Sequence, residues 1–143
     1  RPSLMCAAAV YIIIVGVIYS LFLRPLWSPV GLQLVADVAL HGVTPIVYPV
    51  FWLVFVPKGK VKWIQPVYWL VYPVLYVGYS LLRGLVSNRY LYPFADVTML
   101  GYRRVFINTG ILLFTFLVLG FVMVAIDRVM ARVGITRRVE MKS

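Results

Sequence analysis

Cysteine, histidine and acid are nearly absent from this chain. Cys6 is the only cysteine, His41 the only histidine, and Asp37, Asp96, Asp127 and Glu140 are the only acidic residues among 143. One cysteine excludes an internal disulfide and a thiolate metal cluster, and inside an apolar run Cys6 reads as a small buried residue. One histidine excludes a haem held by two histidines within one chain. With so few donors four metal ligands are hard to assemble, so no metal and no other cofactor is expected. Charged residues make up 13%, where a soluble domain carries about 25%. No internal repeat and no low-complexity tract interrupts the sequence.

What the chain has instead is long apolar runs. Hydrophobic residues are 63% of the total, and they fall into four stretches, Leu4–Leu23, Leu34–Val56, Ile64–Val86 and Val105–Ile126. Each is near the roughly 20 residues that a helix needs to cross the hydrocarbon core. The expected fold is all-α, a polytopic transmembrane helix bundle with four spans in residues 1–143. The first run lacks the basic n-region and the cleavage site of a secretory signal, so it reads as a retained helix.

The net charge of +10 does not point to nucleic acid. The basic residues lie between and after the spans, where the positive-inside rule puts them. If the spans alternate, Arg1, Lys58, Lys60, Lys62, Arg128, Arg132, Arg137, Arg138 and Lys142 share one side. Arg24, Arg89, Arg103 and Arg104 share the other. The expectation is a multi-pass protein of the cell membrane with both termini in the cytoplasm. The basic tail, residues 127–143, either rests on anionic headgroups or is a plain stop-transfer flank.

The connections carry their own signals. RPLWSPVG, residues 24–31, ends one helix with two prolines and a glycine, and Trp27 suits the headgroup region. PKGKVKW, residues 57–63, is short enough to make the second and third spans antiparallel neighbours. Residues 87–104 mix aromatic, proline and acidic residues and are expected to fold back as a cap over the membrane surface. Pro45 and Pro49 in the second span, with Pro66 and Pro73 in the third, free carbonyls and kink helices, widening the space between the two or serving packing alone.

Asp37 and His41 stand one helical turn apart inside the second span. An Asp at the centre of a bilayer costs roughly 2.5–3.5 kcal/mol on insertion scales, so a polar site is the default reading. Gln33, Asp37, His41, Thr44 and Tyr48 follow spacings of 4, 4, 3 and 4 and so form one stripe. In the third span Gln65, Tyr68, Tyr72, Tyr76, Tyr79 and Arg83 form a second, with Ser80 beside it. Asn108 and Thr115 share a face of the fourth span, Thr115 as an ordinary back-bonded threonine. A histidine exchanges protons near neutrality, which makes His41 the natural general base and Asp37 its orienting partner. Thr44 and Ser80 are the nucleophiles within reach, neither in a recognisable motif. A structural or ligand-orienting histidine accounts for the pair equally well.

The segments LWSPVGLQLVADVALHGVTP, FVPKG, WLVYPVLYVGYSLLRG and YLYPFADVTMLGYRRV together resemble a bacterial branch of the androgen-induced-gene family of integral membrane proteins. The most specific elements are a membrane histidine followed by proline, and YPF with an acid two residues on and a glycine later. The resemblance implies a membrane-embedded threonine hydrolase that cleaves fatty-acid esters, with His41 at the position of the family base. The family threonine lies in an upstream helix and has no match here. Since the family fold has six spans, an N-terminal helix pair upstream of Arg1 is expected. The proline follows His41 at i+4, as His41-Gly42-Val43-Thr44-Pro45, a spacing that departs from the animal proteins.

The resulting expectation is a lipid ester hydrolase acting inside the bilayer, with membrane lipids as its partners and substrate source. His41 takes the nucleophile's proton and returns it to the leaving alkoxide. Tyr72, Tyr76 or Arg83 stabilises the oxyanion or binds a carboxylate. Thr44, Tyr48, Tyr79, Ser80 and Asn108 line the substrate site, and Tyr92 and Asp96 roof it. The rival readings are a non-catalytic binder of lipid or sterol, a path for a proton or small solute, and a structural subunit of a larger membrane complex.

Overall fold

The computed structural model describes residues 1–26, 28–87 and 89–134. Trp27 and residues 135–143, including Arg137, Arg138 and Lys142 of the basic tail, lie outside the described residues.

Every element is helical. α1 is Pro2–Ile18, α2 Leu32–Asp37, α3 Thr44–Phe55, α4 Gln65–Trp69, α5 Val71–Ser87 and α6 Val97–Val133. Wide π turns at Tyr19–Leu23 and Val38–Val43 extend α1 and join α2 to α3, and short 3₁₀ turns cover Arg24–Leu26 and Pro93–Ala95. No strand forms among the described residues. Four helical stretches are long and apolar enough to cross a membrane: Pro2–Leu26, Leu32–Phe55, Gln65–Ser87 and Val97–Val133. The molecule is therefore an all-α bundle of four such helices. Large apolar side chains such as Leu32, Val86 and Phe114 stand exposed along their outer faces, as expected of surfaces that meet lipid tails.

Prolines shape three of the four. Each π turn is followed by one, Pro25 after the first and Pro45 after the second. A proline ring clashes with the carbonyl four residues back, and widening the preceding turn relieves it. Thr44 completes the second turn from both sides: its backbone N–H and its hydroxyl both bond Ala39 O, the latter at 2.7 Å. Pro73 removes the N–H that Trp69 O would have received, and the Tyr11 hydroxyl supplies the replacement at 2.7 Å. Where neighbours satisfy the freed groups, such breaks are tolerated in a membrane. α6 has a break of its own at Gly101, whose φ of 72° and ψ of 157° separate one capped turn from the main helix. From Tyr102 to Val133 that helix rises about 48 Å, so it outruns the roughly 30 Å of hydrocarbon.

α1 is the central helix. It packs against α3, α6 and α4. This corrects the expectation that the second and third spans are neighbours: α3 packs on α1 rather than on α4 or α5. Gly16 makes that approach possible, because a Cβ there would stand 2.6 Å from Cβ and Cγ of Pro45. Small residues are how helices come close when lipid offers no hydrophobic drive.

The core is gathered at one end of the bundle. Cys6, Ala9, Val10, Trp52, Val56, Val61 and Val124 are all but sealed from solvent. Asp127 lies among them, 1% exposed, and its Oδ2 accepts the backbone N–H of Gly59 at 3.0 Å and of Val61 at 3.2 Å. Lys58 turns inward beside it. Its ammonium donates to Trp52 O, to Val56 O at 2.6 Å, and lies 4.1 Å from the centre of the Trp52 ring. Burial pushes the Lys58 ammonium down from its ordinary value, and the Asp127 carboxylate opposes this. The last carbonyls of α3 and the loop after it are thus capped by side chains. The opposite end, where both π turns lie, is more loosely filled.

Candidate functional site

His41 sits in the middle of the π turn that joins α2 to α3. Asp37, one turn earlier, holds its Nδ1 at 3.0 Å from Oδ1. The two side chains are 29% and 16% exposed, accessible enough to meet a ligand and shielded enough to strengthen their mutual attraction. With Asp37 ionised, the Nδ1 proton points at the carboxylate and Nε2 is left to accept a proton. Tyr19, in the other π turn, stacks on the imidazole with ring centres 3.9 Å apart and planes 11° from parallel. It fixes the ring plane, as Asp37 fixes the ring's edge. The Tyr19 hydroxyl is buried beside the Asp37 carboxylate and has no other partner among the described residues.

His41 forms part of the wall of two spaces. The inner one, about 260 Å³, lies between α1, α5 and α6 and is mostly apolar. Its polar side chains, besides His41, are Tyr11, Tyr19, Tyr72, Tyr76, Ser80, Tyr92 and Thr109. The outer one, about 550 Å³, is a vestibule bounded by the His41–Asp37 pair and by Tyr90, Tyr92 and Asp96 of the connection before α6. The two meet at Tyr19, Leu23, His41 and Tyr92. A third space, about 710 Å³, is an apolar groove between α1 and α6 that adjoins the inner cavity at Ile14, Ile18, Phe94 and Leu112.

The connection before α6 closes the cavity as a roof. Tyr92, Phe94 and Ala95 face inward. Asn108 fastens the roof to α6 by donating to Phe94 O at 2.9 Å. Tyr92 fastens it to α5, its hydroxyl 2.9 Å from that of Tyr76. Burial is the main cause that pushes the Tyr92 phenol well above its ordinary value, and the Tyr76 hydrogen bond adds to it. Asp96 caps the first turn of α6 through Thr98 N at 2.9 Å and Met99 N at 3.2 Å. The Thr98 hydroxyl, at 2.5 Å, holds the Asp96 carboxyl below the usual carboxylate range, and both backbone N–H groups add to this.

The residues singled out in the sequence divide into two groups. His41, Tyr72, Tyr76, Ser80 and Tyr92 come together around the inner cavity, and Asp37 and Asp96 around the vestibule. Asn108 lines the outer groove. Thr44 is committed to Ala39 O. Tyr48 packs against the core. Tyr79 and Arg83 are exposed and border none of the three spaces. Ser80 is different from Thr44: it is 3% exposed and its hydroxyl has no partner among the described residues. Sequence reasoning missed Tyr11 of α1, Tyr19 of the π turn that follows it and Thr109 of α6. Tyr11, Val15, Tyr19 and Leu23 follow a spacing of four, a signal masked by the uniformly apolar composition of the first span.

Fold and site together define an all-α bundle of membrane-length helices with a histidine–aspartate pair opening on an internal cavity. Comparison with protein-family models, with curated proteins and with solved structures finds no match.

Proposed function

We propose that this protein is a membrane-embedded hydrolase of lipid esters in which His41 is the general base. The observation that carries the reading is the position of the oriented imidazole, at the junction of an apolar cavity and a polar vestibule. An acyl chain suits the cavity, an ester carbonyl suits the junction, and water and the leaving group suit the vestibule. His41 takes the proton of the attacking hydroxyl and returns it to the leaving alkoxide, while Asp37 keeps the imidazole in the productive tautomer. Of the mutually bonded Tyr76 and Tyr92 hydroxyls, one keeps its proton free, and in this reading that proton is donated to the developing oxyanion. The resemblance described above suggests an upstream threonine as nucleophile; among the described residues, Ser80 offers a buried aliphatic hydroxyl without a partner on the same cavity. In this reading the protein belongs to the bacterial cell membrane with both termini in the cytoplasm, following the basic side chains.

Replacing His41 with Ala tests the reading. The protein is expected to remain folded in the membrane and to lose about 10²–10⁴-fold in ester turnover, the contribution of general-base catalysis. Wild-type rates in that variant would reject the proposal. The alternative is a non-catalytic lipid binder, and one observation favours it: the imidazole bonds Asp37 and no hydroxyl. A fluorophosphonate probe separates the two, since only an activated hydroxyl is phosphonylated and the binder leaves the chain unlabelled.

A further inference from the structure

We propose that the groove between α1 and α6 seats one acyl chain of a bilayer phospholipid, and that the seated chain holds the roof over His41 in place. The groove runs along both helices, from Ile13 to Phe22 on α1 and its π turn and from Asn108 to Val122 on α6. It therefore lies parallel to the tails of a surrounding bilayer. Spread over about 21 Å of α6, its volume of about 710 Å³ is too narrow for another helix, which is about 10 Å across, and suits a single extended hydrocarbon chain. Two polar side chains border it, Asn108 and Thr115, and each donates to a carbonyl of this chain, Phe94 O at 2.9 Å and Ile111 O at 2.8 Å. The rest of the lining is apolar.

Phe94 sets this groove apart from the other lipid-facing surfaces. It belongs to the roof, and it lines both the groove and the inner cavity. Its ring meets Phe22 edge-on, with ring centres 5.9 Å apart, and stacks on Tyr92 at 5.1 Å. Phe22 is exposed and lines the groove. The bond that fastens the roof to α6 starts from Asn108, which also lines the groove. A chain seated here packs against Phe22, Phe94 and Asn108 together and braces the roof from the lipid side. An empty groove takes those dispersion contacts away. The inference goes beyond the proposed function and holds for a lipid binder as for a hydrolase.

The test uses the whole protein reconstituted in phosphatidylcholine vesicles, with a small share of phosphatidylcholine carrying a diazirine along one acyl chain. After irradiation, mass spectrometry maps the adducts. Ile111 and Val118 are expected to be labelled several-fold more than Val47 and Phe55 of α3, which are similarly exposed. Thr115→Trp fills the groove two turns away from Asn108, and should bring that labelling down to the level of α3. The roof amides of Ala95 and Asp96, which donate to Tyr92 O and Pro93 O, should then exchange hydrogen about fivefold faster, a coupling of ordinary size. Val17→Trp, which fills the groove from α1, should act alike. In both variants the amides of Gly59 and Val61, held by Asp127 at the opposite end, should exchange as in wild type, which shows the fold intact. Equal labelling of the groove and of α3 overturns the proposal. So does roof exchange that stays at the wild-type rate once the groove is filled. Neither readout uses ester turnover, and His41→Ala should label and exchange as wild type whatever becomes of the catalytic reading.

Discussion

At the scale of single residues the site is defined by what holds His41. An imidazole on a flexible side chain is a poor base because it samples many orientations. Here a carboxylate fixes one edge and a phenol ring covers one face. Asp37 is therefore a positioning residue in the proposed chemistry, and its loss is distinguishable from simple destabilisation. Asp37→Asn is expected to lower kcat by about 10²-fold, within the range that general-base catalysis supplies, with KM little changed. Asp37→Glu should recover part of the rate, because it restores a carboxylate one methylene further out. A fall in KM-dependent binding alone, with kcat preserved, would contradict this role.

At the scale of helices, much of the architecture was legible because hydrophobic run length is a direct physical requirement of crossing lipid. All four runs became helices of membrane length; the first, second and fourth extend beyond their apolar runs and the third is shifted by one residue. The site was half legible. Asp37 and His41 meet as a spacing of four demands, and Tyr72, Tyr76 and Ser80, again four apart, face one cavity. Counting failed where the helix is not regular. The stripe from Gln33 to Tyr48 crosses the wide turn at Val38–Val43, which inserts an extra residue, so Thr44 and Tyr48 leave the face that His41 occupies. The signal for that turn was Pro45, which reads equally well as a kink. Neighbour relations were not legible either: a short loop between the second and third spans says nothing of α1 coming between them. That arrangement depends on Gly16, and Gly16→Val is expected to force α1 from Pro45 at a cost of about 1–3 kcal/mol, typical of overpacking. A lowered midpoint of thermal unfolding in maltoside would show it, and an unchanged midpoint would contradict the packing described.

At the scale of the whole molecule the bundle has two unlike ends. One is tightly filled and clamped by Asp127 and Lys58, and the other encloses the cavity, vestibule and groove. Proteins commonly place binding function in their less densely packed regions, and a rigid far end lets the near end open without loss of the fold. The clamp can be tested by itself. Asp127→Ala leaves the N–H groups of Gly59 and Val61 without an acceptor, which costs about 1–3 kcal/mol. Trypsin should then cut after Lys58 or Lys60 faster than in wild type. Equal cutting rates would mean that the loop is held by something other than the carboxylate.

The wide turn at Val38–Val43 has a consequence in heredity. A π turn takes in one residue more than an α turn while the helices on either side keep their facing, so the loss of a single codon between Asp37 and His41 would straighten the helix and leave Asp37 and Trp52 facing as they do. Only the residues inside the turn would be re-aimed: the pair would pass from a spacing of four to one of three, and the imidazole would leave its place. In this molecule the site can gain or lose a triplet without turning the scaffold on either side of it.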